Sequence, residues 1–207
     1  RGKFSYKHRD HDGYTHNIIL NEENQNEDSD IFRAQLLLDR DNYQWYLSYE
    51  KNTDERSDMG RTPIINGNFD YIDTWESLGG KPFVATSPIS GFSIKENESI
   101  TLQSDYRLAD GTISTIVGWR GNVSDWEMAS VGVPLGGIYH IQSGMFGSDV
   151  NDDIYEKVKQ YSFETRWTTE TTNPLNYTIG LFYLQEDTER VEQYKLDFNT
   201  SIKEQVT

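Results

Sequence analysis

Histidine and aspartate residues crowd a turn-rich stretch near the start of this chain, in the pattern most suggestive of metal binding. They are His8, Asp10, His11, Asp12 and His16. Their spacing matches no compact set of metal ligands, because His8 falls on a predicted strand and faces away from its loop neighbours. The pattern therefore favours a solvated turn in which Asp and Gly act as turn residues.

Two further clusters carry side-chain oxygens of the kind that bind calcium. One is the stretch 21–30, NEENQNEDSD, which has no apolar residue, and the other is the group Asp149, Asn151, Asp152 and Asp153. Neither cluster has the spaced acids, central glycine and closing glutamate of an EF-hand. We predict that both are hydrated loops.

A pair of carboxylates, Glu164 with Asp105, raises the question of glycoside hydrolysis, which uses two acids on either side of the bond that is cleaved. Both acids lie on predicted strands, where they alternate with other polar residues as positions facing water or a lumen do. We therefore expect neither an enzymatic activity nor a cofactor.

Aromatic side chains in the long predicted loops are better candidates for ligand contact, because exposed rings stack on flat groups of a ligand. The candidates are Trp75, Trp126, Tyr139 and His140, with Tyr71 close by in sequence. Packing of the loops on themselves is the alternative use of these rings.

The elements that must position these residues are β-strands. Residues 30–50, DIFRAQLLLDRDNYQWYLSYE, alternate with period two on both sides of a turn at 40–42, which predicts a hairpin. The same alternation predicts strands at residues 3–8, 99–106, 112–120, 161–168 and 175–186. The expected fold is therefore an all-β, antiparallel up-and-down meander of about seven strands.

Short and long connections alternate along this meander. Short turns are predicted at residues 40–42, 109–111 and 169–173, and long connections at 51–95 and 121–159, with the acidic stretch 21–30 before the hairpin. Antiparallel neighbours then place the long loops together at one end of the sheet. Tilted strands of about 8 to 11 residues are long enough to cross a hydrocarbon layer, although a half-exposed soluble sheet shows the same alternation.

Composition narrows the choice of partners. The 207 residues carry a formal net charge of −15, which argues against nucleic acid as a partner. There is no cysteine, so disulfide and thiolate chemistry are excluded. The chain opens at Arg1 without an initiator Met, a signal peptide or a long apolar run, and we interpret it as a piece of a longer protein.

Several segments resemble the β-barrel domain of TonB-dependent outer-membrane receptors. They are FSYKHRDHDGYTHN at 4–17, DIFRAQLLLDRDNYQWYLSYEKNTDERSDMGRTPI at 30–64, ITLQSDYRLADGTISTIVGWR at 100–120, and YSFETRW with LNYTIGLFYLQEDTE at 161–167 and 175–189. The resemblance implies a 22-stranded transmembrane barrel with an N-terminal plug. Residues 1–207 would supply about the first seven strands, without the plug or the other strands.

The same resemblance implies a function in energy-coupled import of a scarce small molecule across the outer membrane of a Gram-negative bacterium. The ligand would be a ferric siderophore, a vitamin or an oligosaccharide. Outer-membrane lipid would surround the wall, and an inner-membrane energy-transducing protein would act through the plug. A soluble β-sheet domain that binds a ligand or a carbohydrate is the alternative function.

Overall fold

The computed structural model describes residues 1–57, 71–87, 89–129, 149–170 and 175–197, which form ten strands and one short helix. The strands are β1 (Gly2–His11), β2 (Thr15–Asn17), β3 (Glu22–Asn24), β4 (Glu27–Asp39), β5 (Tyr43–Ser57), β6 (Val84–Ala85), β7 (Phe92–Leu108), β8 (Gly111–Ala129), β9 (Asp149–Thr169) and β10 (Thr178–Asp197). The helix is α1 (Tyr71–Ser77). No helix in these ranges is long and apolar enough to cross a membrane.

Seven of the strands form one antiparallel sheet in the order β1-β4-β5-β7-β8-β9-β10. Each long strand pairs with the next long strand of the chain, so the sheet is a meander. The all-β class and the seven-stranded antiparallel sheet that the sequence predicts are confirmed. In the described part of the chain, β1 and β10 each pair with a neighbour on one side only.

The strands are longer than the apolar alternation predicts. The acidic stretch 21–30 is not a hydrated loop: it contains β3 and the first residues of β4. Likewise, the predicted connections 51–95 and 121–159 are too long, because β5 continues to Ser57, β7 begins at Phe92, β8 continues to Ala129 and β9 begins at Asp149. Charged and polar residues occupy both faces of these extensions, so the period-two alternation of apolar residues ends there. The backbone hydrogen bonding between the strands nevertheless continues.

The strand ends beside the predicted short turns lie at one end of the sheet and those beside the longer connections lie at the other, as the antiparallel order requires. Residues 171–173 of the predicted turn at 169–173 lie outside the described residues. Glycine is required at one of these turns. Gly111 closes the β7–β8 hairpin with a φ of 154°, and a Cβ atom there would lie 2.2 Å from the carbonyl oxygen of Thr168 on β9.

The border of the sheet opposite the short turns is slanted. Strand length increases from 10 residues in β1 to 21 in β9. Asp10 and Tyr155 share one row of the sheet, and β1 ends one residue beyond that row whereas β9 continues six residues, to Asp149. Five extra steps at about 3.3 Å each raise β9 about 17 Å above β1.

One face of the sheet carries an apolar band next to the short-turn end. Cross-strand partners share a face, so the register assembles the band from five successive rows of side chains. The rows contain Tyr43, Tyr106, Ile113, Trp167 and Ile179; Leu38, Trp45 and Leu181; Leu36, Leu47, Leu102, Val117, Phe163 and Tyr183; Phe4, Ala34, Tyr49, Ile100, Trp119 and Tyr161; and Tyr6 with Phe32. Many of these large side chains are exposed, including Phe4 at 66% and Leu181 at 73%.

The opposite surface, here called the polar face, carries mostly hydroxyl, amide and charged groups at the same depth. Gln35 donates to the Tyr46 hydroxyl, Arg33 pairs with Glu50, and Asn122 donates to Asn97 at 2.5 Å. The strands at this depth therefore separate an apolar surface from a polar one. This one-sided pattern is what keeps a strand register from slipping by one residue.

A small second sheet, in the order β3-β2-β6, lies at the long-connection end. Its interior is polar: the buried Asn17 amide donates to the carbonyl of Ser87 at 2.9 Å and its oxygen accepts from the backbone of Ile19 at 3.1 Å. Asn26 and Ser57 exchange hydrogen bonds of 2.6 and 3.3 Å, which fasten the start of β4 to the end of β5.

The exposed apolar band and the two outer strands lead to a prediction about association. We expect the 207-residue chain to self-associate in buffer without detergent, and Leu181→Lys on the outer strand β10 to reduce the associated mass, because a lysine within the exposed apolar band opposes burial of that band against a second copy. Light scattering after size-exclusion chromatography measures this. Gln185→Lys, on the same face of β10, is the matched control and should change little. A stable monomer of the wild-type chain would contradict the expectation.

Candidate functional site

A groove of about 710 Å³ lies at the long-connection end, mainly on the polar face. Its lining combines aromatic rings with charged and hydroxyl side chains: His11, Tyr14, Glu27, Asp54, Arg56, Phe92, Lys95, Ser124 and Trp126 are among them. These residues come from β1, β4, β5, β7, β8 and the β1–β2 connection. The sheet register therefore builds most of the groove.

A recessed carboxylate organises the charges of the groove. Glu27 has a side-chain exposure of only 14%, and its oxygens lie 3.6 Å from Arg9 and 3.7 Å from Arg56. The Ser29 hydroxyl donates to Glu27 at 3.0 Å. This hydrogen bond, with the two guanidinium groups, lowers the pKa of Glu27 below its ordinary value. Glu27 is therefore ionised wherever the groove is folded near neutral pH.

Arg56 is fixed in turn by a second acid. Its Nε donates to Asp54 at 2.8 Å, and this bond is the main reason that the pKa of Arg56 is raised. The guanidinium group thus lies between Asp54 and Glu27 on adjacent strands. Lys95, opposite Asp54 on β7, adds an exposed ammonium group to the wall. The groove therefore offers a ligand positive groups that are fixed in place. The negative charge of the Glu27 carboxylate beside them is already balanced by Arg9 and Arg56.

His11 is held in one tautomer. The backbone N–H of Gly13 donates to His11 Nδ1 at 3.2 Å, so the proton of the neutral imidazole is on Nε2, which lies 3.6 Å from Glu27. The ring of Tyr14 packs against the imidazole with a centroid separation of 4.7 Å. Tyr14 is itself exposed, so its outer face is open to a ligand.

Trp126 is the predicted ligand-facing residue that the structure places in the groove. It lies in β8, opposite Ser93 of β7 and Ile154 of β9, and not in the loop that the sequence predicts. The rings of Trp126, Phe92 and Tyr14 together supply flat apolar surface beside the charged groups. Such a combination binds a ligand that has both a ring and polar substituents.

Trp75 has different surroundings. It lies in α1, is 8% exposed, and donates through Nε1 to the carbonyl of Val84 at 3.2 Å. A Cβ atom at Gly80 would lie 2.3 Å from its indole ring, so the segment closes tightly over it. These contacts are those of loop self-packing. Tyr71 begins the same helix, and Tyr139 and His140 lie outside the described residues.

The clusters of the first turn-rich stretch do not come together. His8 and His11 lie on opposite faces of β1, because they are three positions apart, and His16 pairs with Glu23 at 2.8 Å in the small sheet. Asp149, Asn151, Asp152 and Asp153 lie in β9 rather than in the predicted loop. They differ from the prediction because their backbone pairs with neighbouring strands, although their polar sequence has no period-two alternation that would predict a strand.

The carboxylates considered for hydrolysis also lie apart. Asp105 on β7 accepts from the Ser114 hydroxyl at 2.6 Å, whereas Glu164 on β9 lies 3.6 Å from Arg166, with β8 between the two strands. Each acid has a local partner, and a strand separates the two carboxylates.

Tyr14, Glu27 and Arg56 are groove residues that inspection of the sequence overlooked. A signal for two of them existed: continuing the register of the predicted hairpin outward places Glu27 opposite Arg56. Tyr14 has no such signal, because its position depends on the small sheet.

Comparisons with protein-family models, with curated proteins and with solved structures found no match to this chain.

The position of Glu27 predicts a pH dependence of stability. Its pKa is lower in the folded chain than in the unfolded chain, so its contribution is present above the ordinary pKa of about 4.5 and is lost as the pH falls through the folded value. Glu27→Gln should therefore lower the urea midpoint at pH 7 and reduce its decline toward acidic pH. Tryptophan fluorescence in detergent follows the unfolding. Glu55→Gln, an exposed acid on the opposite face of β5, should behave like the wild type; equal curves for Glu27→Gln and Glu55→Gln would contradict the role of Glu27.

Proposed function

We propose that this chain is part of the wall and outer mouth of an energy-coupled receptor that imports a scarce ligand across the outer membrane of a Gram-negative bacterium. The observation that carries the proposal is the exposed apolar band on one face of a polar antiparallel meander. A transmembrane barrel turns such a face to lipid and the opposite, polar face to its lumen.

The dimensions of the band support this orientation. Four rows of the band cover seven consecutive positions of the sheet, for example residues 43–49 of β5, and Tyr6 with Phe32 adds a fifth row at β1 and β4. This height approaches the roughly 9–11 residues of a membrane-spanning β-strand. Tyr43, Tyr106 and Trp167 lie in the first row, and Tyr49, Trp119 and Tyr161 lie in the fourth. Aromatic rows near both borders are typical of strands whose ends lie at the two membrane interfaces.

The strand extensions support an outer mouth. Beyond the band, strands β7, β8, β9 and β10 continue toward the long connections with charged or polar side chains on both faces, as Lys157 and Glu156 of β9 illustrate. Such a wall is suited to water on both sides. The groove at its inner surface then faces a ligand that enters from outside, and a ferric siderophore or a similar chelate is the ligand we propose.

Within the described ranges, β1 and β10 each have one side without a strand partner, which supports the presence of further strands. Exposed backbone on two outer strands of this length is unfavourable in lipid unless another strand covers it. In the proposal, the remaining strands of a 22-stranded barrel pair there. A plug inside the barrel would contact an inner-membrane energy-transducing protein.

A soluble ligand- or carbohydrate-binding domain is the alternative, and it requires water at the apolar band or another protein covering it. Adjacent residues of β7 distinguish the two functions, since Leu102 lies in the band and Gln103 on the polar face at the same depth. The 207 residues contain no cysteine, so a single introduced cysteine is their one labelling position once any cysteines elsewhere in the full-length receptor are replaced by serine. In outer membranes containing the full-length receptor, we expect Leu102→Cys to be relaxed by oxygen and shielded from a water-soluble nickel complex. Gln103→Cys should show much less oxygen contact. Equal access of the nickel complex to both positions would favour the soluble domain.

The groove predicts a loss of ligand binding. In the full-length receptor, Tyr14→Ala and Trp126→Ala should each weaken the binding of the ferric chelate about fivefold, since an aromatic contact contributes about 1 kcal/mol. Uptake of radioactive iron and the amount of folded barrel in the outer membrane are measured together. Trp45→Phe, which retains the apolar band on the other face, is the control. Unchanged uptake in both groove variants would remove this groove from the ligand site.

A further inference from the structure

A second group of functional side chains lies outside the groove, on the face that carries the apolar band. His8, Asp28 and Asp30 place one potential ligand atom each within 4.8 Å of the others. His8 Nδ1 lies 3.0 Å from Asp30 Oδ1 and 3.8 Å from Asp28 Oδ1. This trio is here called the His8 site.

The register of two adjacent strands creates the His8 site. His8 of β1 is directly opposite Asp30 of β4, and Asp28 follows two residues away on the same face of β4. Its members are 20 and 22 residues apart in sequence, so a search for closely spaced ligands does not find it. Both strands belong to the main sheet, which fixes the spacing of their Cβ atoms.

The site lies where carboxylates outnumber cations on β1, β4, β5 and β7. Two adjacent rows across β1, β4, β5 and β7 contain Asp10, Asp28, Glu55 and Ile94, and His8, Asp30, Thr53 and Glu96. These eight positions hold five carboxylates and no lysine or arginine. On the polar face of the same strands, by contrast, Arg9, Arg56 and Lys95 accompany Glu27 and Asp54.

Tyr6 holds the Asp30 carboxylate of the site in place. Its hydroxyl donates to Asp30 Oδ1 at 2.5 Å, and this bond is the main cause that lowers the pKa of Asp30. The carboxylate is thus ionised and held in place by a group that is not itself a metal ligand. A hydrogen-bonded carboxylate of this kind is the usual support of a protein metal site.

We propose that the His8 site binds one divalent transition-metal cation of the zinc class, through His8 Nδ1 and one oxygen each of Asp28 and Asp30. The nitrogen ligand favours zinc over calcium or magnesium, which prefer oxygen ligands alone. Three protein ligands leave at least one position for water, in keeping with the exposure of the three side chains. The metal replaces the His8–Asp30 hydrogen bond and offsets the repulsion among the neighbouring carboxylates.

Calorimetric titration of the metal-free 207-residue chain in detergent with zinc chloride tests this site. We expect one zinc ion per chain, with binding at least tenfold weaker in His8→Asn and in Asp28→Asn. His16→Asn is the matched control, because His16 pairs with a single acid, Glu23, and should bind zinc as the wild type does. Circular dichroism establishes that the variants keep the strand content of the parent.

Wild-type zinc affinity in both His8→Asn and Asp28→Asn would overturn the proposal. Calcium that binds as tightly as zinc would overturn the assignment of the metal class. The site is independent of the proposed transport function, since zinc binding to the chain in detergent requires neither membrane insertion nor uptake. A lipid-facing label at position 102 without zinc binding would reject this site alone.

Discussion

The continuous pairing of seven strands is the constraint on which every other feature of this chain depends. Each backbone N–H and C=O group along these strands needs a partner, and the partners fix which residues lie opposite one another. A slip of β5 by one residue against β4 would send Leu47 and Tyr49 to the polar face and Glu50 to the apolar band. The band, the groove and the His8 site are three consequences of one register.

The chemistry of the sheet changes along the strands as well as across them. Near the short turns, the two faces differ sharply, with rings and aliphatic groups on one and amides and hydroxyls on the other. Toward the long connections both faces are charged, but their charges are organised differently. Glu27 is surrounded by arginines on one face, whereas Asp28, the next residue, faces further carboxylates on the other. Adjacent residues of β4 therefore serve separate sites with opposite electrostatic character.

Period-two alternation predicted the strands where one side is apolar, and it located the turn at 40–42 and the β7–β8 hairpin. It could not predict the extensions of β5, β7, β8 and β9, because polar side chains on both faces leave no periodic signal while the backbone continues to pair. The candidate site residues also differ in whether the sequence could point to them. Trp126, which lines the groove, was singled out by its residue type although its predicted loop is a strand. The proximity of His8 and Asp30 depends on a pairing between distant segments. Trp75 shows the limit of residue type, since its ring is covered by its own segment.

The slanted border opposite the short turns makes the two sides of the main sheet unequal in height. A molecule approaching over β1 meets the lowest part of the wall, whereas β9 stands about 17 Å higher in the same register. The groove residues His11 and Tyr14 lie beside this low side, and Trp126 lies where the wall has begun to rise. Among the described strands, the wall beside the groove is therefore asymmetric: it is low at β1, next to His11 and Tyr14, and it becomes higher toward β9.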